Sequence, residues 1–258
     1  GETVAHTYSQ NGTYAVTLTV TDDDGATNET TQTVTVTEPD PLTGGWTAST
    51  DGRTQFSSPA VDPYRVVVGG LDSTVHAFYR SNGTLDWAFD RNGSLSDSSP
   101  TIAGGTVFVG SGSGTLYALH ARNGTVDWTH QVDSAIVSSP TVAGGTVYVG
   151  ANDGQVLALD ADDGNRTWAT DVGGPVLSTP AFEAGRLAVT TDGGAVVTLD
   201  AADGGVNWTY QTGVELGHSA PVFWLGDVYV AADEILALNG SDGSVDWRQS
   251  YGGTAGST

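Results

Sequence analysis

The chain has 258 residues, no Cys and a formal net charge of −22, from 30 Asp and Glu against 8 basic residues that are all Arg. This acidic balance disfavours a nucleic-acid partner, because binding to phosphates depends on clustered Lys and Arg. The lack of Cys excludes disulfides, cysteine catalysis and thiolate metal sites within this chain.

Residues 1–38 predict part of a β-sandwich. Polar and apolar residues alternate at 6–8, 12–20 and 31–37, as in strands with one face in water. The run HTYSQNGTYAVTLTVTDDDG is similar to the closing half of a PKD domain, an immunoglobulin-like module of cell-surface proteins. Only about three of the seven strands of such a sandwich are present. Residues 39–45, rich in Pro and Gly, are predicted to be a linker.

From residue 46 onward the sequence is repetitive. Five tryptophans recur every 39 to 41 residues at the end of phrases such as SNGTLDW: Trp87, Trp128, Trp168, Trp208 and Trp247. Five prolines keep the same period behind Ser-Ser, Ser-Thr or Ser-Ala: Pro59, Pro100, Pro140, Pro180 and Pro221. Two markers in one register indicate a repeat protein, and Trp46 fits the same period one repeat earlier.

One repeat predicts four short strands. Residues 137–142, 146–149, 155–159 and 165–171 are separated by turns, and most carry β-branched or aromatic residues. Four strands in about 40 residues is the size of a propeller blade. The inner runs TVFVG, TVYVG and VLAL are apolar nearly throughout, which predicts sheets covered on both faces. Each outer strand is an edge, where an acidic residue before the Trp is expected to discourage pairing with other sheets: Asp86, Asp127 and Asp246.

The phrases AGGTVYVG and ALDADDGNRTW resemble the repeats of the PQQ-like β-propellers, PQQ being pyrroloquinoline quinone. The resemblance covers residues 46–258 and implies an all-β propeller in which the outer-strand Trp docks between blades. We expect five four-stranded blades of an incomplete ring, plus the outer strand of another blade around Trp46; a closed five-blade ring is the alternative. Residues 252–258 align with residues 173–179, which precede Pro180, so we expect a fragment of a longer polypeptide.

The sequence also predicts where the protein acts. N-x-Ser/Thr sequons fit an exported glycoprotein, and we expect modification at Asn11, Asn28, Asn82, Asn92, Asn123, Asn165 and Asn239. A further sequon at Asn207 precedes a Trp expected to be packed, and hairpin turns are an alternative explanation for several others. With the PKD-like segment, the sequons predict an extracellular or cell-surface protein. The acidic composition resembles that of proteins from salt-loving archaea, because molar salt screens repulsion between like charges.

No residue is assigned to a catalytic, cofactor or metal site. The loops at 160–164 and 22–25 partly resemble calcium loops but are expected to be turns. The five His lack the paired spacing of a zinc site, and His218 is expected to be packed or hydrogen-bonded and not a catalytic base. Trp224 departs from the repeat pattern and is expected to fill a gap beside its blade, with a binding surface as the alternative.

Three functions remain open. We favour a noncatalytic surface module, without a cofactor, that binds a protein or polysaccharide or serves as a scaffold. The PQQ-like family also implies a fragment of a quinone-dependent dehydrogenase, with a quinone and calcium on the propeller axis and often an adjacent Cys pair. This chain has no Cys, and its sequence identifies no calcium-ligand set. A third hypothesis is the sensor or substrate-recruiting part of a larger enzyme.

Overall fold

The computed structural model describes residues 12–21, 25, 27–36, 45–50, 57–70, 73–90 and 98–250. The chain divides into two compact units, Gly1–Trp46 and Thr47–Thr258. No helix that could cross a membrane is found in the described ranges. Several predictions fall outside the described residues: the strand at 6–8, the loop at 22–24, linker residues 39–44, the segment 251–258, and the sequons at Asn11 and Asn92.

The first unit contains an antiparallel hairpin. Its strands are β1 (Gly12–Thr21) and β2 (Thr27–Val36), with Gly12 opposite Val36 and Thr21 opposite Thr27. Tyr14 lies opposite Val34, so apolar residues of the two strands share one face, as the alternating pattern predicts. The second strand begins before the predicted run at 31–37, because its additional Thr residues also favour extended backbone.

The described part of the second unit forms five four-stranded sheets, which we call blades 1 to 5. Blade 1 consists of β3 (Ala60–Val61), β4 (Arg65–Gly69), β5 (Thr74–Tyr79) and β6 (Leu85–Asp90). Blade 2 consists of β7 (Thr101–Ala103), β8 (Thr106–Val109), β9 (Thr115–His120) and β10 (Val126–Gln131). Blade 3 consists of β11 (Thr141–Ala143), β12 (Thr146–Gly150), β13 (Gln155–Asp160) and β14 (Arg166–Asp171). Blade 4 consists of β15 (Ala181–Glu183), β16 (Arg186–Thr190), β17 (Ala195–Asp200) and β18 (Val206–Gln211). Blade 5 consists of β19 (Val222–Trp224), β20 (Asp227–Ala231), β21 (Glu234–Leu238) and β22 (Val245–Ser250).

Within every blade, each strand pairs antiparallel with the next strand in sequence. The innermost strands of successive blades also contact one another, from β3 to β7, β11, β15 and finally β19. No comparable contact joins β3 to β19 among the described residues, so the five blades do not close into a ring there. The prediction of an all-β fold built from four-stranded propeller blades is confirmed.

The core lies between the blades. Four apolar clusters fill the four junctions between successive blades. At the junction of blades 2 and 3, for example, Phe108 and Ile136 pack with Val147 and Leu157. The middle strands are therefore buried on both faces, as their unbroken apolar runs predict.

The structure corrects the predicted first strand of the repeat and the strand around Trp46. Of the predicted strand at 137–142, only residues 141 and 142 belong to the sheet, in the strand Thr141–Ala143. Pro140 has no N–H to donate to a neighbouring strand. The Ser138 hydroxyl bonds to the backbone of Gly150 instead: it accepts the Gly150 N–H and donates to the Gly150 carbonyl, both at 2.8 Å. Residues 45–50, which include Trp46, contain no strand.

One of the three predicted edge charges lies in a largely buried ion pair instead. The Arg65 Nε–H donates to Asp86 at 2.6 Å, and both side chains are largely buried. Arg65 also donates to the carbonyl of Arg122 in blade 2. Asp127 and Asp246 are exposed on their outer strands. Asp86 thus stabilises a junction between blades, a partner that the sequence did not indicate.

Candidate binding surface

The repeated tryptophans join neighbouring blades. In blades 1 to 4 the indole Nε1–H donates to a backbone carbonyl of the next blade, at 2.8 to 3.1 Å. The pairs are Trp87 with Ala121, Trp128 with Ala161, Trp168 with Ala201, and Trp208 with Gly240. All four indoles are buried, so each covers apolar surface and also satisfies its single polar atom.

Each buried indole also lies against a glycine of the next blade. A Cβ atom on Gly164 would stand 2.5 Å from Cε3 of Trp128. The same arrangement recurs for Gly124 with Trp87, Gly204 with Trp168, and Gly243 with Trp208. The contact leaves no room for a ligand, so these tryptophans pack blades together and do not line a groove. Trp247, on the last described blade, is 46% exposed.

Serine hydroxyls beside the repeated prolines also connect the blades. Each proline directly precedes an innermost strand, and all except Pro59 are buried. The Ser58 N–H donates to Ser99 Oγ at 2.8 Å, and the Ser99 N–H donates to Ser139 Oγ at 3.0 Å. In the sequence these serines only mark the period. A Ser directly precedes Pro59, Pro100 and Pro140, and this recurring position is the signal that could have indicated a bonding role.

The turn between β19 and β20 exposes two large apolar residues. Trp224 is 65% exposed and Leu225 is 85% exposed, and we call this pair the apolar tip. Ala103 and Ala143, which hold the position of Trp224 in blades 2 and 3, pack against the following blade, so the expectation that Trp224 fills a gap beside its blade stays a prediction. Leu225 has φ +50° and Gly226 has φ +94°, the conformation of a two-residue hairpin turn with both central residues left-handed.

Arg186 of blade 4 braces this turn. Its Nη2 donates to the Gly226 carbonyl at 3.1 Å, and its Nη1 donates to the Gly240 carbonyl at 2.7 Å. The guanidinium carbon lies 5.3 Å from the centre of the Phe223 ring, within range of a cation–π interaction. Arg186 of blade 4 therefore holds the base of this turn, which belongs to blade 5.

A shallow cavity of about 240 Å³ lies beside the junction of blades 4 and 5. Its lining includes Thr212, Val214, Asp233, Glu234 and Ser250. Only two residues connect β20 to β21 here, against four in the corresponding turn of blade 3, so the shorter turn leaves this space open. Two carboxylates line the cavity, those of Asp233 and Glu234. Glu234 forms an ion pair with Arg248 at 3.1 Å.

The suspected calcium loop at 160–164 is a hydrogen-bonded turn. Asp160 Oδ1 accepts the N–H of Asp162 at 2.8 Å, and Asp163 Oδ1 accepts the N–H of Asn165 at 2.9 Å. Across the described residues, no three His, Asp or Glu side chains form a group that could hold a metal ion. The described residues therefore do not fit a calcium-dependent quinone site. His218 is exposed and not packed.

Two sequons lie at exposed outer turns. The Asn82 side-chain oxygen accepts the Thr84 hydroxyl at 2.8 Å, and Asn123 makes the same bond with Thr125. The Asn165 amide instead donates to Asp163 at 2.7 Å. Asn239 is half-buried, whereas Asn207 is exposed although Trp208 beside it is buried. The Asn28 side chain lies outside the described residues.

Comparisons with known proteins identify the family. The profile of PQQ_2, described as outer membrane protein assembly factor BamB, matches residues 11–135, 71–179 and 170–258. The chain belongs to the PQQ_2 family. No curated protein matches it in sequence.

Solved structures with the same fold include BamB and several dehydrogenases. BamB from Moraxella catarrhalis is 18% identical, with a TM-score of 0.54 over 76% of each chain. Quinohemoprotein alcohol dehydrogenase ADHIIG from Pseudomonas putida HK5 is 17% identical, with a TM-score of 0.64 over 75% of this chain and 41% of that one. A europium-containing methanol dehydrogenase is 15% identical, with a TM-score of 0.69 over 80% of this chain and 53% of that one. The chain spans about half the length of the dehydrogenases, and at these identities the likeness shows the fold alone.

Proposed function

We propose that this chain is a noncatalytic, cell-surface or secreted β-propeller module that binds or scaffolds a protein or polysaccharide partner. The observation that carries the proposal is Leu225, which is 85% exposed on a turn held from blade 4 by Arg186. The corresponding turn residues of blades 2, 3 and 4 are exposed as well, so this position stays in solvent when another blade follows. A large exposed apolar group on a rigid frame lowers the entropy cost of binding a partner.

The surface location rests on sequence features and on the position of two sequons. Asn82 and Asn123 lie at exposed turns, and the N-terminal segment is similar to a PKD domain. We propose all seven sequons named above as glycosylation sites, with these two the best placed. Glycopeptide mass spectrometry of protein purified from its source tests the assignment, and unmodified Asn82 and Asn123 would contradict it.

We also propose a high-salt environment of the haloarchaeal type. The net charge of −22 destabilises a compact chain by self-repulsion, and molar salt screens it. Raising KCl from 0.1 to 2 M should therefore raise the Tm by more than about 5 °C, which corresponds to roughly 2 kcal/mol. A Tm that does not change with KCl would contradict this assignment.

The binding role is tested with immobilised protein in molar KCl. Envelope proteins and polysaccharides of the source organism are passed over it, and retained material is identified by mass spectrometry and sugar analysis. An unrelated acidic protein of similar charge serves as the control. We expect a specific protein or polysaccharide to be retained on this chain alone. Equal retention on the control, or no retention, would contradict the proposal.

A fragment of a quinone-dependent dehydrogenase, or the sensor part of a larger enzyme, is the alternative that the fold similarity favours. Reconstitution with pyrroloquinoline quinone and calcium separates it from the binding module. Stoichiometric uptake of the quinone, followed by absorbance, together with alcohol-dependent dye reduction would favour the dehydrogenase. We expect neither, because the described residues bring no group of acidic ligands together.

A further inference from the structure

We propose that Asn207 is an N-glycosylation site whose glycan prevents other chains from pairing with β18, the outer strand of blade 4. Asn207, Trp208 and Thr209 form an N-x-Thr sequon. This inference rests on the surface location and glycosylation in the proposed function. It adds a modified residue and a physical reason for its modification.

The strand β18 is an open edge of its sheet. It pairs with β17 on one side and is the last strand in the order of blade 4. No strand pairs with its other side in the described part of the chain. The unpaired N–H and C=O groups along such an edge are a template on which a strand of another chain can pair.

Among the five described outer strands, β18 is the only one without a charged side chain. Its sequence is VNWTYQ. Each of the other four carries at least one exposed charged residue, as at Asp90, Asp127, Arg166 and Asp246. A charge on an edge strand opposes pairing, because the group would lose its hydration there. The edge of blade 4 lacks this protection.

The composition of β18 also favours association. Most of its residues are β-branched or aromatic, and it contains neither Pro nor Gly. Short segments with high β-propensity, no charge and no Pro are those that associate most readily as stacked strands. An open edge with this composition therefore needs another means of preventing association.

Asn207 is exposed because of its position in the blade and not because a neighbouring blade is missing. Blade 4 is followed by blade 5. The equivalent residues of blades 2 and 3, Asp127 and Thr167, also have another blade after them and are exposed as well. In blades 2 and 5 this position carries an acidic residue, Asp127 and Asp246. A glycan on Asn207 would thus stand where other blades carry a charge.

The buried Trp208 does not obstruct the sequon. Its indole donates to Gly240 of blade 5, whereas Asn207 and Thr209 on either side of it are exposed. Successive side chains of a strand point to opposite faces, so burial of the middle residue leaves both sequon groups in solvent.

The functional groups of this sequon are also free of other bonds. Among the described residues, the Asn207 amide and the Thr209 hydroxyl form no hydrogen bond. The Asn165 amide of another sequon, in contrast, donates to Asp163 at 2.7 Å. Modification of Asn207 therefore removes no side-chain hydrogen bond from the fold.

The location of Asn207 suits a shield for the whole edge. The strand has six residues, which span about 20 Å, and Asn207 is the second of them. A glycan is bulky and solubilising. A strand that approached along this edge would collide with it, so the glycan would keep the outer side of β18 unpaired.

The test uses the full chain, expressed in its source organism as the wild type and as three single variants. Asn207→Gln removes the glycan and leaves the edge uncharged. Asn207→Asp also removes the glycan but introduces the charge found at Asp127 and Asp246. Thr209→Ser keeps the sequon and is the matched control. Glycopeptide mass spectrometry measures modification, and sedimentation velocity in molar KCl measures association.

We expect a glycan on Asn207 in the wild type and in Thr209→Ser. At equal protein concentration, the share of dimers and larger species should be at least about tenfold higher for Asn207→Gln than for the wild type. Asn207→Asp and Thr209→Ser should resemble the wild type. Hydrogen exchange should show that association of Asn207→Gln protects the amides of residues 206–211.

Each variant should keep the Tm within about 2 °C of the wild type, because the substituted side chains are exposed. Association of Asn207→Gln would then not reflect unfolding. No excess association of Asn207→Gln, or association without protection of residues 206–211, would overturn the inference. Equal association of Asn207→Gln and Asn207→Asp would also overturn it.

The modification itself separates this inference from the proposed function. If Asn82 and Asn123 carry glycans and Asn207 does not, this inference alone is overturned and the glycosylated surface location stands. If none of the three carries a glycan, both are overturned.

Discussion

Trp168 and Trp247 occupy the same position in their repeats, yet their surroundings differ. Trp168 is 8% exposed and donates to Ala201 in blade 4, whereas Trp247 is 46% exposed on the last described blade. Each lies near a tyrosine of its own blade, at ring-centre distances of 6.0 Å. The difference therefore comes from the following blade. An outer-strand Trp therefore stabilises the fold mainly through its contacts with the next blade, and little through contacts within its own sheet.

The largest expected effect separates these two residues directly. Trp168→Ala should lower the free energy of unfolding by about 3–5 kcal/mol, because it removes a buried ring and leaves the Ala201 carbonyl with less bonding. Trp247→Ala should cost about 1 kcal/mol or less. Denaturant unfolding in molar KCl measures both. Similar losses for the two variants would contradict the idea that the next blade supplies the stability.

The glycine under the ring provides the next test. Gly164→Ala places a Cβ atom 2.5 Å from the Trp128 ring at φ +71°, whereas Gly145→Ala meets nothing within 4 Å at φ +80°. Both changes strain the backbone, but only the first displaces an indole. We expect losses of about 2–4 kcal/mol for Gly164→Ala and about 1–2 kcal/mol for Gly145→Ala. If both variants lost the same free energy of unfolding in the same assay, the Trp128 ring would be free to move away from the added Cβ atom.

A buried hydroxyl distinguishes the Trp208 junction from the Trp168 junction. Thr198 lies opposite Trp208 where Ala158 lies opposite Trp168, and the Thr198 Oγ1 is buried without a hydrogen-bond partner among the described residues. Thr198→Val keeps the shape and removes the unsatisfied group, so it should raise stability by about 1–2 kcal/mol. Thr209→Val, at an exposed position of the neighbouring strand, is the control. A destabilised Thr198→Val would reveal a bond to the hydroxyl.

The smallest effect concerns pH. Burial raises the pKa of the Tyr148 phenol above its ordinary value, and its hydroxyl donates to the same Ala201 carbonyl as Trp168, at 3.3 Å. A raised folded-state pKa means that the stabilisation is complete below pH 10 and is lost as the pH rises through the folded pKa. Tyr148→Phe should therefore show a weaker decline of the Tm above pH 10. If the Tm of Tyr148→Phe falls above pH 10 as steeply as that of the wild type, other groups cause the decline.

The repeat itself made most of the fold predictable. The period, the glycines in the turns and the unbroken apolar runs each specify a local feature, and together they predict four-stranded blades. The first strand of the repeat was predicted to begin too early. In the structure the Ser138 side chain forms the hydrogen bonds to the Gly150 backbone that a paired strand would form, and the sequence does not indicate the partner of a serine hydroxyl. Asp86 was expected at an exposed edge because its partner, Arg65, is 21 residues away.

The candidate surface was less predictable. Trp224 stood out because it departed from the period, but its surroundings depend on the next blade, against which the equivalent residues Ala103 and Ala143 pack. The following turn exposes Leu225 instead. That turn is held from blade 4 by Arg186, a contact across 40 residues that no local pattern indicates. The sequence by itself determined the blades, since each blade forms from neighbouring segments through short turns. Only the tertiary structure decided which aromatic residues are buried, because burial between blades requires the surface of another sheet.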